Sequence, residues 1–143
     1  MSSKKKNFKI VKSLYEKDKF AQKMGFELLD LTEKTIKMKT TLRKDMENLY
    51  GKPHGAALFG FADAAFSILV NNQNNISVAL DCSISYHNAA DTGVTLYLDG
   101  KKLSTSRKIC VCLFEIYKKK DSENVPIVTM KGTAYRTGRP IQK

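Results

Sequence analysis

The chain has 143 residues, 42% of them hydrophobic and 27% charged, an ordinary globular composition large enough for a core without disulfide or metal support. Its net charge of +11 suggests an anionic partner, but 21 of the 25 basic residues are lysines scattered along the chain, and no basic stretch is interleaved with aromatics, which argues against a nucleic-acid-binding module. The longest apolar run, Ala56–Val70, carries an acid and falls short of the roughly 20 residues a membrane span needs. The basic start, Met1–Lys6, leads into no apolar region, so no secretory signal is expected and the expected location is cytoplasmic.

In chain order, Phe8, Val11, Leu14 and Tyr15 recur at helical spacing and predict an amphipathic helix at about 8–22. Residues 26–31 and 34–42 read as two strands joined by a short turn, with Ile36, Met38 and Thr40 on one side of the second and Lys37 and Lys39 on the other. Residues 55–71 lack β-like alternation and are apolar nearly all round, which predicts a helix buried within the protein. In 76–86 every even position is apolar and every odd one small or polar, the pattern of a half-buried strand. Three more strands follow at 94–103, 108–118 and 126–135, and their short connections require antiparallel pairing. The expected fold is α+β, one domain over 1–143 with an antiparallel sheet wrapped around a long central helix. Cys82, Cys110 and Cys112 are odd in number and lie in strand-like runs, so free thiols in a reducing compartment are expected.

Asp63 breaks the apolar pattern. A carboxylate in that run is costly to desolvate, so it has either a hydrogen-bond partner or a chemical role. Upstream, Asn48-Leu49-Tyr50-Gly51-Lys52-Pro53-His54-Gly55 forms a polar, glycine-bearing turn opening onto the helix, whose first turn offers unpaired N–H groups and the positive end of the helix dipole. That combination suits acyl transfer. With two histidines and no carboxylate cluster at ligand spacing, no metal is expected. No Gly-x-Ser-x-Gly elbow or phosphate-cradling loop points to a serine hydrolase or a P-loop enzyme. Asp81, on the polar face of its strand, and His87, just past its end, read as structural.

Asn48-x-x-Gly51-x-x-His54-Gly55, Ala62-Asp63-x-Ala65-Phe66, Ala79–Tyr86 and Gly132-Thr133-Ala134-Tyr135-Arg136-x-Gly138 together span about residues 25–138. In that order they resemble the hotdog-fold acyl-CoA thioesterases, in particular the PaaI-like branch associated with phenylacetic acid degradation. The resemblance implies Asp63 as the catalytic acid, with Asn48, His54 and Gly55 beside it, acyl-CoA as substrate, no separate cofactor, and active sites at a dimer interface. Two positions depart from it. Ala56 stands where the family commonly has a second glycine. Ala79 stands where some members carry a water-positioning Ser or Thr, with Ser77 and Ser83 nearby.

A thioester carbonyl needs donors as charge develops on its oxygen. The N–H of Gly55, unhindered by a side chain, suits that role at roughly 3–4 kcal/mol per donor. Asp63 lies eight residues further on, about 12 Å along a helix, whereas a reacting carbonyl sits about 3–3.5 Å from its attacker. One helix therefore cannot supply both groups, and two antiparallel helices in a homodimer can. The expected assembly is such a dimer, paired into a homotetramer. Coenzyme A carries phosphates, for which Arg107, Lys108 and Arg136 are the candidates. Two other classes stay open: a hotdog protein that binds acyl-CoA without hydrolysing it, and, on charge alone, a nucleic-acid binder.

Overall fold

The computed structural model describes residues 3–142, with side chains from Lys9 onward. Two helices lead the chain, α1 (Ser3–Lys17) and α2 (Lys19–Met24), followed by strands β1 (Glu27–Leu31) and β2 (Thr35–Thr41), the long helix α3 (Gly55–Val70), and strands β3 (Ser77–Tyr86), β4 (Thr95–Thr105), β5 (Ile109–Lys120) and β6 (Glu123–Arg136). The single helix expected at 8–22 is thus two. Asp18 breaks it by adopting an extended backbone, and its side chain accepts the Ala21 N–H as the N-cap of α2. Of the residues that set the helical spacing, Val11 is buried and Tyr15 partly so, while the Phe8 side chain lies outside the described residues.

All strand pairs are antiparallel, as the short connections require, and the sheet order is β1-β2-β4-β5-β6-β3. Sequence adjacency does not give this order, because β3 pairs with β6 and not with β4. The link from Tyr86 to Thr95 is long enough to cross the two intervening strands, spaced about 4.8 Å apart. β3 is therefore an edge strand, and the half-buried strand expected from its alternation is in fact largely exposed, with Val78 and Leu80 about half accessible. A bulge between Ala79 and Asp81 also interrupts the even–odd pattern. Beyond it, Cys82, Ile84 and Tyr86 pair with Gly132, Met130 and Val128 and face α3. Before it, Val78 pairs with Tyr135 on the outer face.

One face of the sheet packs on α3. Phe61, Phe66 and Leu69 are fully buried against Met38, Leu96, Leu98, Phe114 and Met130. Phe66 meets Phe114 edge-on at 5.7 Å, and Gly132 makes room for its ring, since a Cβ there would lie 2.8 Å from Phe66 Cζ. The all-round burial expected of this helix holds for most of its circumference only. Ala56, Asp63 and Ser67 are exposed and Phe59 and Gly60 half-buried, so a stripe at three- and four-residue spacing runs open along α3. No helix among the described residues is long and apolar enough to cross a membrane, and the three cysteines are free thiols.

Candidate active site

The turn ahead of α3 is held by its own polar groups. Asn48 Oδ1 accepts the N–H groups of Tyr50 (2.9 Å) and Lys52 (3.2 Å), and its N–H donates to the Lys52 carbonyl. Gly51, at φ +71°, takes the left-handed conformation that closes this loop. Lys52 pairs with Asp91 at 2.6 Å and Thr92 donates to Glu47, which fastens the turn to the β3–β4 link. The Lys52 ammonium in turn holds the Asp91 carboxyl below its usual range.

His54 is the N-cap of α3. Its Nδ1 accepts the Ala56 N–H at 2.9 Å, so the ring proton resides on Nε2, and its carbonyl accepts from Ala57. Of the first helical donors, Ala56 and Ala57 are thereby used, while the Gly55 N–H has no acceptor among the described residues. Gly55 opens onto a cleft of about 330 Å³ lined also by Asn48, Pro53, Leu58 and Tyr86. Tyr86 was not singled out by sequence reasoning, yet it fixes the Gly55 peptide: its hydroxyl donates to the Gly55 carbonyl at 3.2 Å, and its ring stands 3.5 Å from where a Cβ on Gly55 would be. The available signal was its place at the end of the apolar series through Cys82 and Ile84.

Asp63 sits on the open stripe of α3, outside that cleft. Its carboxylate has no hydrogen-bond or ion-pair partner among the described residues. Partial burial, and secondarily the negative charge of Asp18, push its pKa upward. Of the two readings open for an acid in this run, a carboxylate satisfied by a neighbouring strand is not the one observed.

A free backbone donor thus stands at the start of α3 and an unpartnered acid further along it, and the comparisons with known proteins give the family. The sequence pattern of the thioesterase superfamily matches residues 50–125, from the turn to the start of β6. The chain belongs to the thioesterase superfamily. This thioesterase is 30% identical over 123 residues to a putative esterase of Archaeoglobus fulgidus, covering 86% of this chain and 78% of that protein. It is 26% identical over 129 residues to the acyl-coenzyme A thioesterase PaaI of Escherichia coli, covering 90% of each. The structure of the E. coli PaaI protein superposes with a TM-score of 0.89 at 24% identity, over 97% of this chain and 99% of that one. The hotdog fold and the PaaI-like character that the motifs resemble are thus both present, and the protein is a thioester hydrolase.

The remaining sequence-predicted residues of the thioesterase lie elsewhere. Ser77 is buried near the C-terminal end of α3, its N–H bonded to Asn71 Oδ1 and its hydroxyl to the Asn75 carbonyl. Ser83 pairs with Lys131 on the outer face of the sheet, away from α3. Arg107, Lys108 and Arg136 converge at the β4–β5 turn, where Arg136 Nη1 donates to the Ser106 carbonyl at 2.7 Å and its N–H to the Lys108 carbonyl. That turn is at the end of the sheet where Lys102 reaches Asn72, the C-terminal end of α3. The structure brings Asn48, His54 and Gly55 together and leaves Asp63 and the basic group apart from them. Among the described residues no cluster of three His, Cys, Asp or Glu stands ready for a metal.

Proposed function

We propose that this thioesterase hydrolyses acyl-CoA to free acid and coenzyme A, at a site that Gly55 of one chain shares with Asp63 of a second copy. The observation that carries the reading is the Gly55 N–H, unpaired at the start of α3 while His54 occupies the neighbouring donor. There the thioester oxygen accepts from Gly55 as negative charge develops on it, at the positive end of the helix. Ionised Asp63 either attacks the carbonyl carbon, giving an anhydride that water opens, or takes a proton from the attacking water. In both routes the C–S bond breaks, the sulfur leaves as the coenzyme A thiol, and the carboxylic acid remains. Asn48 contributes its Nδ2 amino group, since its Oδ1 is occupied by the loop. His54 acts by holding the first turn of α3.

The second copy is needed because about 12 Å of helix separates Gly55 from Asp63. Two features support a two-fold pair. β3 is a ten-residue edge strand with exposed apolar side chains, which needs cover, and the open stripe of α3 lies beside it. Pairing β3 with its symmetry mate sets the two α3 helices antiparallel, which turns each Gly55 toward the opposite Asp63. It also carries the C-terminal end of the second α3, with its Arg107, Lys108 and Arg136, toward the cleft, where the phosphates of coenzyme A need cations. Val78 and Tyr135, side by side on the outer face, supply an apolar patch for pairing dimers into a tetramer.

The test is free-thiol release from aryl, short-chain and long-chain acyl-CoAs by wild type and Asp63→Asn, followed by mixing inactive Asp63→Asn with inactive Gly55→Val. Mixed dimers hold one intact site, so about a quarter of wild-type activity returns if the site is shared. Absence of recovery, or a stable active monomer in sedimentation, defeats the shared site. Acyl-CoA binding without turnover, unchanged in Asp63→Asn, moves the protein to the binding class.

A further inference from the structure

Phe20 is the second residue of α2 and has no part in the site as described. Its ring is half exposed, at 53%, in a molecule that buries Phe26, Phe61, Phe66 and Phe114 almost completely. One edge is anchored: Phe20 meets Phe26 at 5.9 Å and 74°, and Phe26 lies 5.0 Å from core Phe61. Across α3, the ring occupies the space that a side chain at residue 60 would take. A Cβ on Gly60 would stand 2.9 Å from Phe20 Cε1 and 3.0 Å from Cζ.

Gly60 lies on the open stripe three residues before Asp63, about 4.5 Å along the helix axis. The ring edge over Gly60 therefore lies about one helical turn before the Asp63 position on α3. Asp18, which caps α2 through Ala21, lies close enough to Asp63 for its charge to be felt there, which places the start of α2 against the same part of α3. Docking of the N-terminal helices does not call for this exposed ring. Val11, Ala21 and Phe26 bury their side chains, and the Tyr15 hydroxyl donates to the Phe26 carbonyl. A glycine in mid-helix costs helix stability relative to alanine, and here it admits an aromatic ring that stays half in solvent.

We propose that Phe20, seated over Gly60, is a specificity-determining residue whose ring forms the end wall of the acyl compartment and limits the length of acyl group that can reach Asp63. The inference rests on the acyl-CoA reading above. It assigns the N-terminal helices, which lie outside the matched superfamily stretch, to substrate selection. Removing the ring deepens the compartment, and one methylene in such a pocket changes discrimination by about tenfold or more.

The experiment measures kcat/KM over straight-chain acyl-CoAs of increasing length, and over phenylacetyl-CoA, for wild type, Phe20→Leu, Phe20→Ala and Gly60→Ala, with thermal melts to confirm that each variant is folded. The expected result is an optimum displaced to longer chains in Phe20→Ala, by about tenfold or more in the ratio of long to short substrates, with Phe20→Leu in between. Gly60→Ala, which must push the ring aside, also changes the ranking. The same panel is bound to Asp63→Asn and to Phe20→Ala/Asp63→Asn by calorimetry. Folded variants whose activity scales equally on all substrates, with affinities ranked as before, overturn the role of Phe20. A wild type that binds the panel without turnover sinks the hydrolase reading, and a shift in the affinity ranking then still upholds the wall. No binding of any acyl-CoA overturns both.

Discussion

The two ends of α3 are finished in opposite ways. At the C-terminal end the polar groups close on one another. Asn71 bonds to the Ser67 and Ser77 carbonyls and to the Ser77 N–H. Asn72 donates to the Thr32 and Glu33 carbonyls and accepts from Lys102 at 2.8 Å. At the N-terminal end His54 caps Ala56, but the Gly55 N–H stays free above an open cleft, and the Asp63 carboxylate further along has no partner among the described residues. A fold that can complete its hydrogen bonds at one end of a helix leaves donors and charge open at the other. The open end is where chemistry is expected, and the closed end is where stability is.

Substitutions at the two ends should therefore fail in different assays. Asp63→Asn has the largest expected effect, a loss of kcat of about 10²–10⁴-fold in thiol release. The same variant should melt at a higher temperature than wild type near neutral pH. The folded-state pKa of Asp63 is raised, so its ionised form disfavours the native state, and an amide carries no such cost. A variant that loses activity and melts lower would mean that Asp63 holds the fold together. Asn72→Ala is the counterpart at the closed end. It leaves Lys102 and two carbonyls without their partner and should cost about 1–3 kcal/mol in denaturant unfolding, with kcat unchanged. Loss of activity in a folded Asn72→Ala protein would break the division. His54→Ala probes the cap that joins the two roles: about 1 kcal/mol of stability should go with the cap, with a fall in kcat larger than the change in KM as the first turn loosens.

Much of the open end was legible in the sequence, because its signals are local. Asn48, Gly51, His54 and Gly55 act within one turn, and Asp63 announces itself by being charged in an apolar run. The role of His54 was less visible: a cap and a carbonyl donor look alike until the Ala56 N–H is placed on Nδ1. What the sequence hid is tertiary. The alternation of 76–86 records which side chains are apolar but not that the strand lies at an edge, nor that a bulge after Ala79 turns Val78 outward. The same limit made α3 look buried all round, because alanine, glycine and phenylalanine are apolar whether or not another element covers them. Ser77 and Ser83 stand close to Ala79 in sequence, but strand direction and pairing carry one to the closed end of α3 and the other to the outer face.

The smallest expected effect tests why Asp63 is tuned as it is. Burial is the larger cause of its raised pKa, and the charge of Asp18 is the smaller. In wild type the acid limb of kcat/KM, which reports loss of the ionised carboxylate, should lie above the range of an ordinary aspartate. Asp18→Asn removes the charge while keeping a side-chain oxygen to cap α2, so helix stability is nearly preserved. Without the neighbouring negative charge Asp63 gives up its proton more easily, and the limb should move to lower pH. The stability effect has a definite sign as well. The folded chain holds the Asp63 proton more tightly than the unfolded chain, so the destabilisation from ionised Asp63 is present at neutral pH and is relieved as pH falls through the folded pKa. Asp18→Asn should lessen that destabilisation at neutral pH and leave stability in acid little changed. A limb that stays in place would assign the whole shift to burial, and the charge of Asp18 would then serve α2 alone.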